Sequence, residues 1–232
     1  MENKYIISGI QQVGIGVENL HEAWKYYIDV FHMDIRILED NKVAELMLPY
    51  TGGVPQRRHA VIAVNLQGGG GFEVWQYAGR KPKRLGFELN MGDLGVLACK
   101  IKSRDVAKTF GEFSRDPKVN IVTKLSQDID GKQTFYVKDP YGNLFQIVQD
   151  EYIFKNEGRS TGGAIGALIG VTDIEKAMVV YKDILGYDRV IADETGVFAD
   201  FEGLPSGSQR FHRRLLTHSQ PRKGSFSELF GP

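Results

Sequence analysis

An internal repeat constrains the fold of this 232-residue chain more than any other feature of its sequence. Residues 13–37, VGIGVENLHEAWKYYIDVFHMDIRI, align without a gap with residues 167–191, ALIGVTDIEKAMVVYKDILGYDRVI. The two segments share eight identical positions, whereas average residue usage would give about one or two. The identical pairs are Ile15/Ile169, Gly16/Gly170, Val17/Val171, Ala23/Ala177, Tyr27/Tyr181, Asp29/Asp183, Asp34/Asp188 and Ile37/Ile191. The chain therefore contains copies of one structural unit.

Each copy has the pattern of a short strand followed by an amphipathic helix. The apolar residues 13–17 and 167–171 precede Asn19 and Asp173, two residue types that favour the N-cap of a helix. In the first copy, apolar residues then recur at helical spacing, which predicts one helix face packed on a sheet. These residues are Leu20, Ala23, Trp24, Tyr27 and Phe31. A weaker third copy occupies residues 95–113, GVLACKIKSRDVAKTFGEF.

Strand-like runs follow the helices, so the repeated unit is predicted to be βαβββ. The runs are 43–48, 60–65 and 72–77 after the first helix, and 121–125, 134–138 and 144–149 after the second. The sequence thus predicts modules at 8–78, 94–150 and 164–232. We expect the first two to form one domain over residues 1–154 and residues 155–163 to be a linker. The third module would then begin a second domain.

Composition excludes several classes of function. The chain has 29 lysine and arginine residues and 29 aspartate and glutamate residues, so its formal net charge is zero. It also lacks a basic stripe in its sequence, so nothing favours binding to nucleic acid or to a membrane surface. Cys99 is the only cysteine, which excludes an internal disulfide and fits a reducing cytoplasm. No run has the length of a signal peptide core or a membrane span. We expect a soluble cytoplasmic protein with a small-molecule ligand.

The stretch FYVKDPYGNLFQIV, residues 135–148, predicts a β-hairpin. Pro140 fixes φ at the first corner, Gly142 or Asn143 supplies a positive φ, and Asp139 can accept backbone amides two residues on. The flanking runs are rich in aromatic and β-branched residues, as strands are.

This arrangement resembles the vicinal oxygen chelate superfamily, which includes glyoxalase I, bleomycin resistance proteins and extradiol dioxygenases. The resemblance rests on VGIGVENLHEAWKYYIDVFHMD and VKDPYGNLFQIV, which match the opening of the family's module and its closing hairpin. It implies an α+β fold in which βαβββ modules pair and their curled mixed sheets form a cup. It also implies that residues on the first and fourth strands of each module hold a divalent metal ion in that cup.

The resemblance places the candidate metal ligands at Gln12, Glu73 and Gln146. The remaining first-strand position falls on Val96 or Leu97, neither of which can bind a metal. The set has one carboxylate and two neutral amides, so it predicts weak affinity for a divalent ion. The implied cofactor is Zn, Ni, Mn or Fe, and the alternative is that no cofactor binds.

Strand alternation places further candidates beside Glu73, which is the predicted catalytic residue. Trp75 and Tyr77 would lie on the same face as Glu73, and Lys100 could balance its charge, so we predict these three as substrate-binding residues. An equally open alternative is that Trp75 and Tyr77 pack in the core. None of the five histidines has ligand-like spacing, and we interpret all of them as non-ligands: His21, His32, His59, His212 and His218.

The third module raises the question of its partner. Either Glu228 lies on the fourth strand, as Glu73 does in the first module, or that strand has not begun; the ending Gly231-Pro232 favours the second option. In both cases the sequence predicts that this module has no partner within the chain. We expect a homodimer that pairs two third modules, or a chain truncated from a four-module protein.

Two hypotheses of function follow. The first is a glyoxalase/bleomycin-resistance-like lyase or isomerase that acts on an enolisable carbonyl, with Glu73 as base or metal ligand. The second is a non-catalytic, metal-free protein that binds or sequesters a small molecule. An extradiol dioxygenase is disfavoured because its two-histidine, one-carboxylate set is missing from the aligned positions.

Overall fold

The computed structural model describes residues 7, 9–219 and 226–231, without the side chains of residues 226 and 227. The first module comprises β1 (Gln12–Gly16), α1 (Leu20–Phe31), β2 (Ile35–Val43), β3 (Arg57–Val64) and β4 (Gly71–Tyr77). The second comprises β5 (Gly95–Ser103), α2 (Val106–Phe113), β6 (Asn120–Ile121), β7 (Ser126–Gln127), β8 (Gln133–Lys138) and β9 (Leu144–Gln149). The third comprises β10 (Ala164–Gly170), α3 (Ile174–Met178), β11 (Arg189–Gly196), β12 (Phe211–Thr217) and β13 (Phe226–Gly231). A π-helical turn, Val179–Ile184, extends α3, and 3-10 helices span Glu45–Tyr50 and Ala199–Phe201. The α+β fold predicted from the repeat is confirmed.

The helices begin where the sequence predicts. The side chains of Asn19, Asp105 and Asp173 each accept a hydrogen bond from the amide three residues on, at 3.3, 2.9 and 3.1 Å. These bonds satisfy donors that a helix N-terminus leaves without an intrahelical partner. The predicted hairpin is confirmed as well, since Asp139 Oδ1 accepts the amides of Tyr141 and Asn143 at 2.9 and 2.8 Å.

The first and fourth strands of every module pair in parallel, as β1–β4, β5–β9 and β10–β13. The first module forms a four-stranded sheet in the order β1-β4-β3-β2. The second and third modules share a sheet of nine strands, with β7 paired to β8 beside the path β11-β12-β13-β10-β5-β9-β8-β6. Two modules therefore join through their opening strands, β10 and β5.

This pairing differs from the sequence expectation that the first and second modules share a domain. The described chain divides into two compact units. We call residues 12–87 with 152–164 the single-module unit. The paired-module unit comprises residues 88–151 with the described residues before 12 and after 164. The repeat specifies modules but does not specify which opening strand pairs with which, so sequence order was an incorrect guide.

Two further expectations about the third module require correction. Its fourth strand is present as β13, and Glu228 lies on it opposite Leu168 of β10. The module also has a partner within the chain, because β10 neighbours β5. A Gly-Pro ending does not prevent the preceding residues from completing a sheet ladder, since Gly231 still pairs with His212 of β12.

The predicted linker packs against the first module. The Asn65 side-chain amide donates to the carbonyl oxygens of Phe31 and Thr161, at 2.9 and 3.0 Å. Arg159 forms a two-pronged ion pair with Asp34 at 2.9 and 2.8 Å. Residues 152–164 therefore belong to the single-module unit rather than forming a free connection.

The helices α1 and α2 pack aromatic side chains against their own sheets. In the first module the rings of Tyr27 and Phe31 meet Phe72 edge-on, with centroids 5.1 and 6.0 Å apart. In the second module Phe110 meets Phe135 at 5.1 Å with the same geometry. Burial of aromatic area of this kind is a main source of core stability. No helix in the described part of the chain is long and apolar enough to cross a membrane.

Candidate functional site

Six buried polar side chains meet in the paired-module unit, and we call them the central network. They come from both modules, so the network forms only when the second and third modules share their sheet. Its members are Lys100 on β5, Asp128 after β7, Gln146 on β9, Asp200 in the 3-10 helix, Arg213 on β12 and Glu228 on β13. Each is at most 9% exposed, and Gln146, Arg213 and Glu228 are fully buried.

The Lys100 ammonium lies between the two fourth strands. Its Nζ is 2.6 Å from Gln146 Oε1 and 2.6 Å from Glu228 Oε2. A longer contact of 3.5 Å joins it to Asp128 Oδ2, and Gln146 Nε2 donates to the same oxygen at 2.9 Å. The lysine therefore neutralises carboxylates from both modules.

The Arg213 guanidinium binds three carboxylates at once. It donates from Nε to Glu228 at 2.6 Å, from Nη1 to Asp200 at 2.7 Å and from Nη2 to Asp128 at 2.8 Å. Its planar group also lies 4.4 Å from the ring centre of Phe198. This planar multivalent geometry is one that arginine provides and lysine does not.

Mutual attraction keeps the cations and one carboxyl group of the network charged. Burial alone lowers the pKa of Lys100, but Asp128 and Glu228 outweigh it and hold that pKa above its ordinary value. Burial raises the pKa of Asp128, and the charges of Lys100 and Arg213 outweigh it, so the result is a lowered pKa. Asp200 behaves differently, because burial prevails over Arg213 and raises its pKa to about 6.

These residues do not fit a divalent cation. Gln146 and Glu228 occupy the fourth-strand positions at which the family places metal ligands, and both already bind the Lys100 ammonium. The strand register places Ala98, rather than Val96 or Leu97, and Gly166 at the positions equivalent to Gln12, and neither residue offers a side-chain donor. A metal ion would have to displace one cation and lie near the Arg213 guanidinium, with only two vacated donors.

The single-module unit brings together two of the three predicted metal ligands. Gln12 Nε2 donates to Glu73 Oε2 at 3.1 Å, across the parallel pair β1–β4. The third, Gln146, belongs to the paired-module unit. Glu73 thus has an amide partner, while Lys100, expected to balance its charge, is paired with Glu228 and Asp128.

Trp75 and Tyr77 lie on the sheet face opposite α1. Phe72 and Val74 are fully buried, so the alternating residues of β4 face the other way, and Trp75 and Tyr77 are half-buried. Arg58 lies over the Trp75 ring at 4.7 Å, and Arg80 lies over Tyr77 at 5.9 Å. The cationic partner that these rings could attract is therefore supplied by the chain itself.

One buried polar group near the central network lacks a partner. The Tyr136 hydroxyl is fully buried and has no hydrogen bond among the described residues. Burial raises its pKa well above the ordinary value, and the negative charge of Asp200 adds to this effect. A buried hydroxyl of this kind is a ready hydrogen-bond partner for a water molecule or a ligand atom.

A cleft of about 640 Å³ opens beside the network within the paired-module unit. Its lining includes Ser126, Gln127, Asp128, Glu194, Phe198 and Asp200, with three carboxylates. The described residues that line it include no lysine or arginine. This volume is in the range of small-molecule sites, and the chemistry favours a ligand that donates hydrogen bonds or carries positive charge.

Sequence reasoning missed Asp128, Asp200 and Arg213. A usable signal was present, because Lys100 lies within the largely apolar strand GVLACKIKS and Arg213 alternates with Phe211 and Leu215 on one face of FHRRLLT. Charges at such positions require buried counterions. The pairing of the second and third modules was the missing piece of information.

Comparison with known proteins agrees with this architecture. The family model described as "Glyoxalase/Bleomycin resistance protein/Dioxygenase superfamily" matches residues 9–147, which is more than half of the chain. No curated protein matches the chain significantly.

Solved structures share the fold at low sequence identity. Glyoxalase I from Zea mays is 14% identical with a TM-score of 0.56, over 96% of this chain and 66% of that one. A putative dioxygenase from Bacillus subtilis is 16% identical with a TM-score of 0.56, over 96% and 63%. A glyoxalase family protein from Bacillus cereus is 17% identical with a TM-score of 0.51, over 64% and 96%. This chain thus spans about two thirds of the length of the first two.

Proposed function

The chain belongs to the glyoxalase/bleomycin resistance protein/dioxygenase superfamily, and from this we propose that it is a metal-independent small-molecule-binding protein. The observation that carries the proposal is the Lys100 ammonium, which binds both fourth-strand donors at 2.6 Å. A protein cation thereby fills the role that a metal would take between two modules. Binding, rather than Lewis-acid chemistry, is the function that this donor set supports best.

We place the ligand in the cleft beside the central network. With every group ionised, the two cations and three carboxylates of the network leave one net negative charge. Glu194 is exposed at the cleft and adds another. A small ligand with an amine or several hydrogen-bond donors would complement this lining, and Phe198 offers it an aromatic face.

Ligand-observed NMR with matched aromatic amines and aromatic carboxylates tests this proposal. We expect the amines to bind, the carboxylates not to bind, and EDTA treatment to leave amine binding unchanged. Glu194→Gln should weaken amine binding, whereas Glu202→Gln, an exposed control outside the cleft lining, should not. Binding that disappears with EDTA and returns with a divalent metal would contradict the proposal.

A second candidate is supported by Glu73. Its carboxylate lies on the half-exposed sheet face with Gln12 as an orienting donor, which is the arrangement of a general base for an enolisable carbonyl. Exchange of the α-protons of dihydroxyacetone in D₂O, followed by NMR, measures this activity. Catalysed exchange that Glu73→Gln abolishes would favour the lyase or isomerase; no exchange above background would exclude it for this substrate.

A further inference from the structure

Two histidines and a glutamate converge on the single-module unit, away from the face that carries Glu73. His21 on α1, Glu39 on β2 and His59 on β3 each offer one ligand atom, and these atoms lie within 4.8 Å of one another. His59 Nε2 is 2.8 Å from Glu39 Oε1, and His21 Nε2 is 3.9 Å from the same oxygen. We call these three residues the surface triad.

The fold brings the triad together for identifiable reasons. In the β2–β3 pairing Asn41 is opposite His59, so Glu39 lies two residues along the same face. The first turn of α1 crosses that face, which brings His21 beside His59 with ring centroids 5.1 Å apart.

The triad is partly pre-organised and open to solvent. Arg36 Nη1 donates to Glu39 Oε2 at 2.7 Å and leaves Oε1 directed at the histidines. The Glu39 and His59 side chains are 23% and 16% exposed, whereas His21 is 66% exposed. Two ligands are therefore held in place, and the third can swing onto an arriving ion.

We propose that the surface triad binds one divalent transition-metal ion of the zinc, nickel or copper class. Two imidazoles and a carboxylate are ligands that such ions prefer, and three protein ligands leave a position for water. Ligand bonds of about 2.0–2.2 Å around one centre require donor atoms a few ångströms apart, as these are. This site is separate from the aligned ligand positions on the first and fourth strands, and it revises the interpretation of His21 and His59 as non-ligands.

The third module provides an internal comparison. Its β11–β12 pair repeats the histidine and carboxylate, since His212 Nε2 lies 2.6 Å from Asp193 Oδ1. The residue aligned with His21 is Glu175, and Arg214 bridges Glu175 and Asp193 at 2.7 Å each. A guanidinium thus occupies the corresponding place, so the described residues of the third module hold no comparable site.

Zinc titration of the metal-stripped full chain by calorimetry tests the proposal. We expect wild-type protein to bind zinc at one site. His21→Ala and Glu39→Gln should each weaken the zinc affinity of that site by roughly 100-fold or more, because a direct ligand contributes more than the 10–100-fold of a supporting residue. His212→Ala is the matched control and should leave this site unchanged. Circular dichroism of each variant confirms that it is folded.

Cobalt substitution gives a second readout. Wild-type protein with one equivalent of Co²⁺ should show visible absorption bands that are absent from His21→Ala, a change at an exposed side chain that leaves the core intact. Zinc affinity and cobalt spectra that are the same in wild type, His21→Ala and Glu39→Gln would overturn the proposal.

Discussion

At the scale of single residues, the interior of the paired-module unit is organised by ion pairs between side chains. Lys100 and Arg213 are almost completely buried, and burial of a cation is costly unless counterions surround it. Three carboxylates and an amide provide those partners. Removing a single partner should therefore lower the free energy of unfolding by more than the intact network adds to it.

Asp200 makes stability depend on pH in a defined direction. Its folded-state pKa of about 6 lies above the ordinary value near 3.9. The contribution of Asp200 to the free energy of unfolding is therefore present below about pH 4 and is lost as the pH rises through 6. We expect the free energy of unfolding of wild type, relative to Asp200→Asn, to fall by roughly 2 kcal/mol between pH 4 and 7.

Urea denaturation of both proteins across this pH range measures the effect. Other ionisable groups are common to both proteins, so they largely cancel in the difference. A difference that stays constant, or that rises with pH, would show that the folded-state pKa of Asp200 is not raised.

Tyr136 carries a hydroxyl with no described partner. We expect Tyr136→Phe to leave the free energy of unfolding unchanged or to raise it by up to about 1 kcal/mol, because no hydrogen bond is lost. The control is Thr134→Val, which removes a buried hydroxyl that donates to Ile147 O at 2.8 Å and accepts from Gln146 at 3.1 Å. The free energy of unfolding of Thr134→Val should fall by about 1–3 kcal/mol. Equal losses in the two variants would mean that Tyr136 is hydrogen-bonded in solution.

At the scale of elements, the opening strands show how one repeated sequence serves two environments. Gly16 of β1 and Gly170 of β10 occupy the same repeat position. A methyl group at Gly16 would meet no atom within 4 Å, whereas one at Gly170 would overlap the backbone of Asp93. The strand that joins two modules is therefore closely covered, and β1 is open on this face.

Alanine substitution at the two glycines should affect stability differently. We expect Gly170→Ala to lower the free energy of unfolding by about 1–3 kcal/mol, because backbone must shift to admit the methyl group. Gly16→Ala should change it by less than about 0.5 kcal/mol. Thermal or urea unfolding provides the comparison, and equal effects would contradict the difference in packing.

The helices and the hairpin could be predicted from the sequence because their determinants are local. Helix caps, apolar periodicity and the turn at Asp139 act over a few residues, and the structure contains them where the repeat placed them. The partner of each opening strand depends on contacts between distant residues. The site followed the same rule: Gln12 and Glu73 are neighbours within one module, whereas the partners of Lys100, which binds Gln146, come from two modules.

At the scale of the whole molecule, the chain passes between its two units more than once. The segment 152–164 packs on the first module although it connects the second to the third. Asn65 anchors this segment through Thr161 and is itself fully buried. The family match over residues 9–147 therefore spans parts of both units rather than one of them.

We expect Asn65→Ala to lower the free energy of unfolding by about 1–3 kcal/mol, because it leaves buried carbonyl oxygens with fewer hydrogen-bond donors. Hydrogen exchange should show that residues 152–164 lose protection first. Asn156→Ala is the matched control, since Asn156 makes only an exposed contact with the amide of Gly158. Unchanged protection of the segment in Asn65→Ala would show that other contacts hold it.

The alternation between units has a consequence for how the protein is made on the ribosome. All residues of the single-module unit have been synthesised once residue 164 has emerged, so this unit can form early. The second module is translated before then, yet β10 and Glu228, whose carboxylate pairs with Lys100, arrive only later. During that interval the nascent second module lacks one carboxylate partner of its buried lysine and carries an uncovered edge of β5, which exposes this stage of synthesis to misfolding.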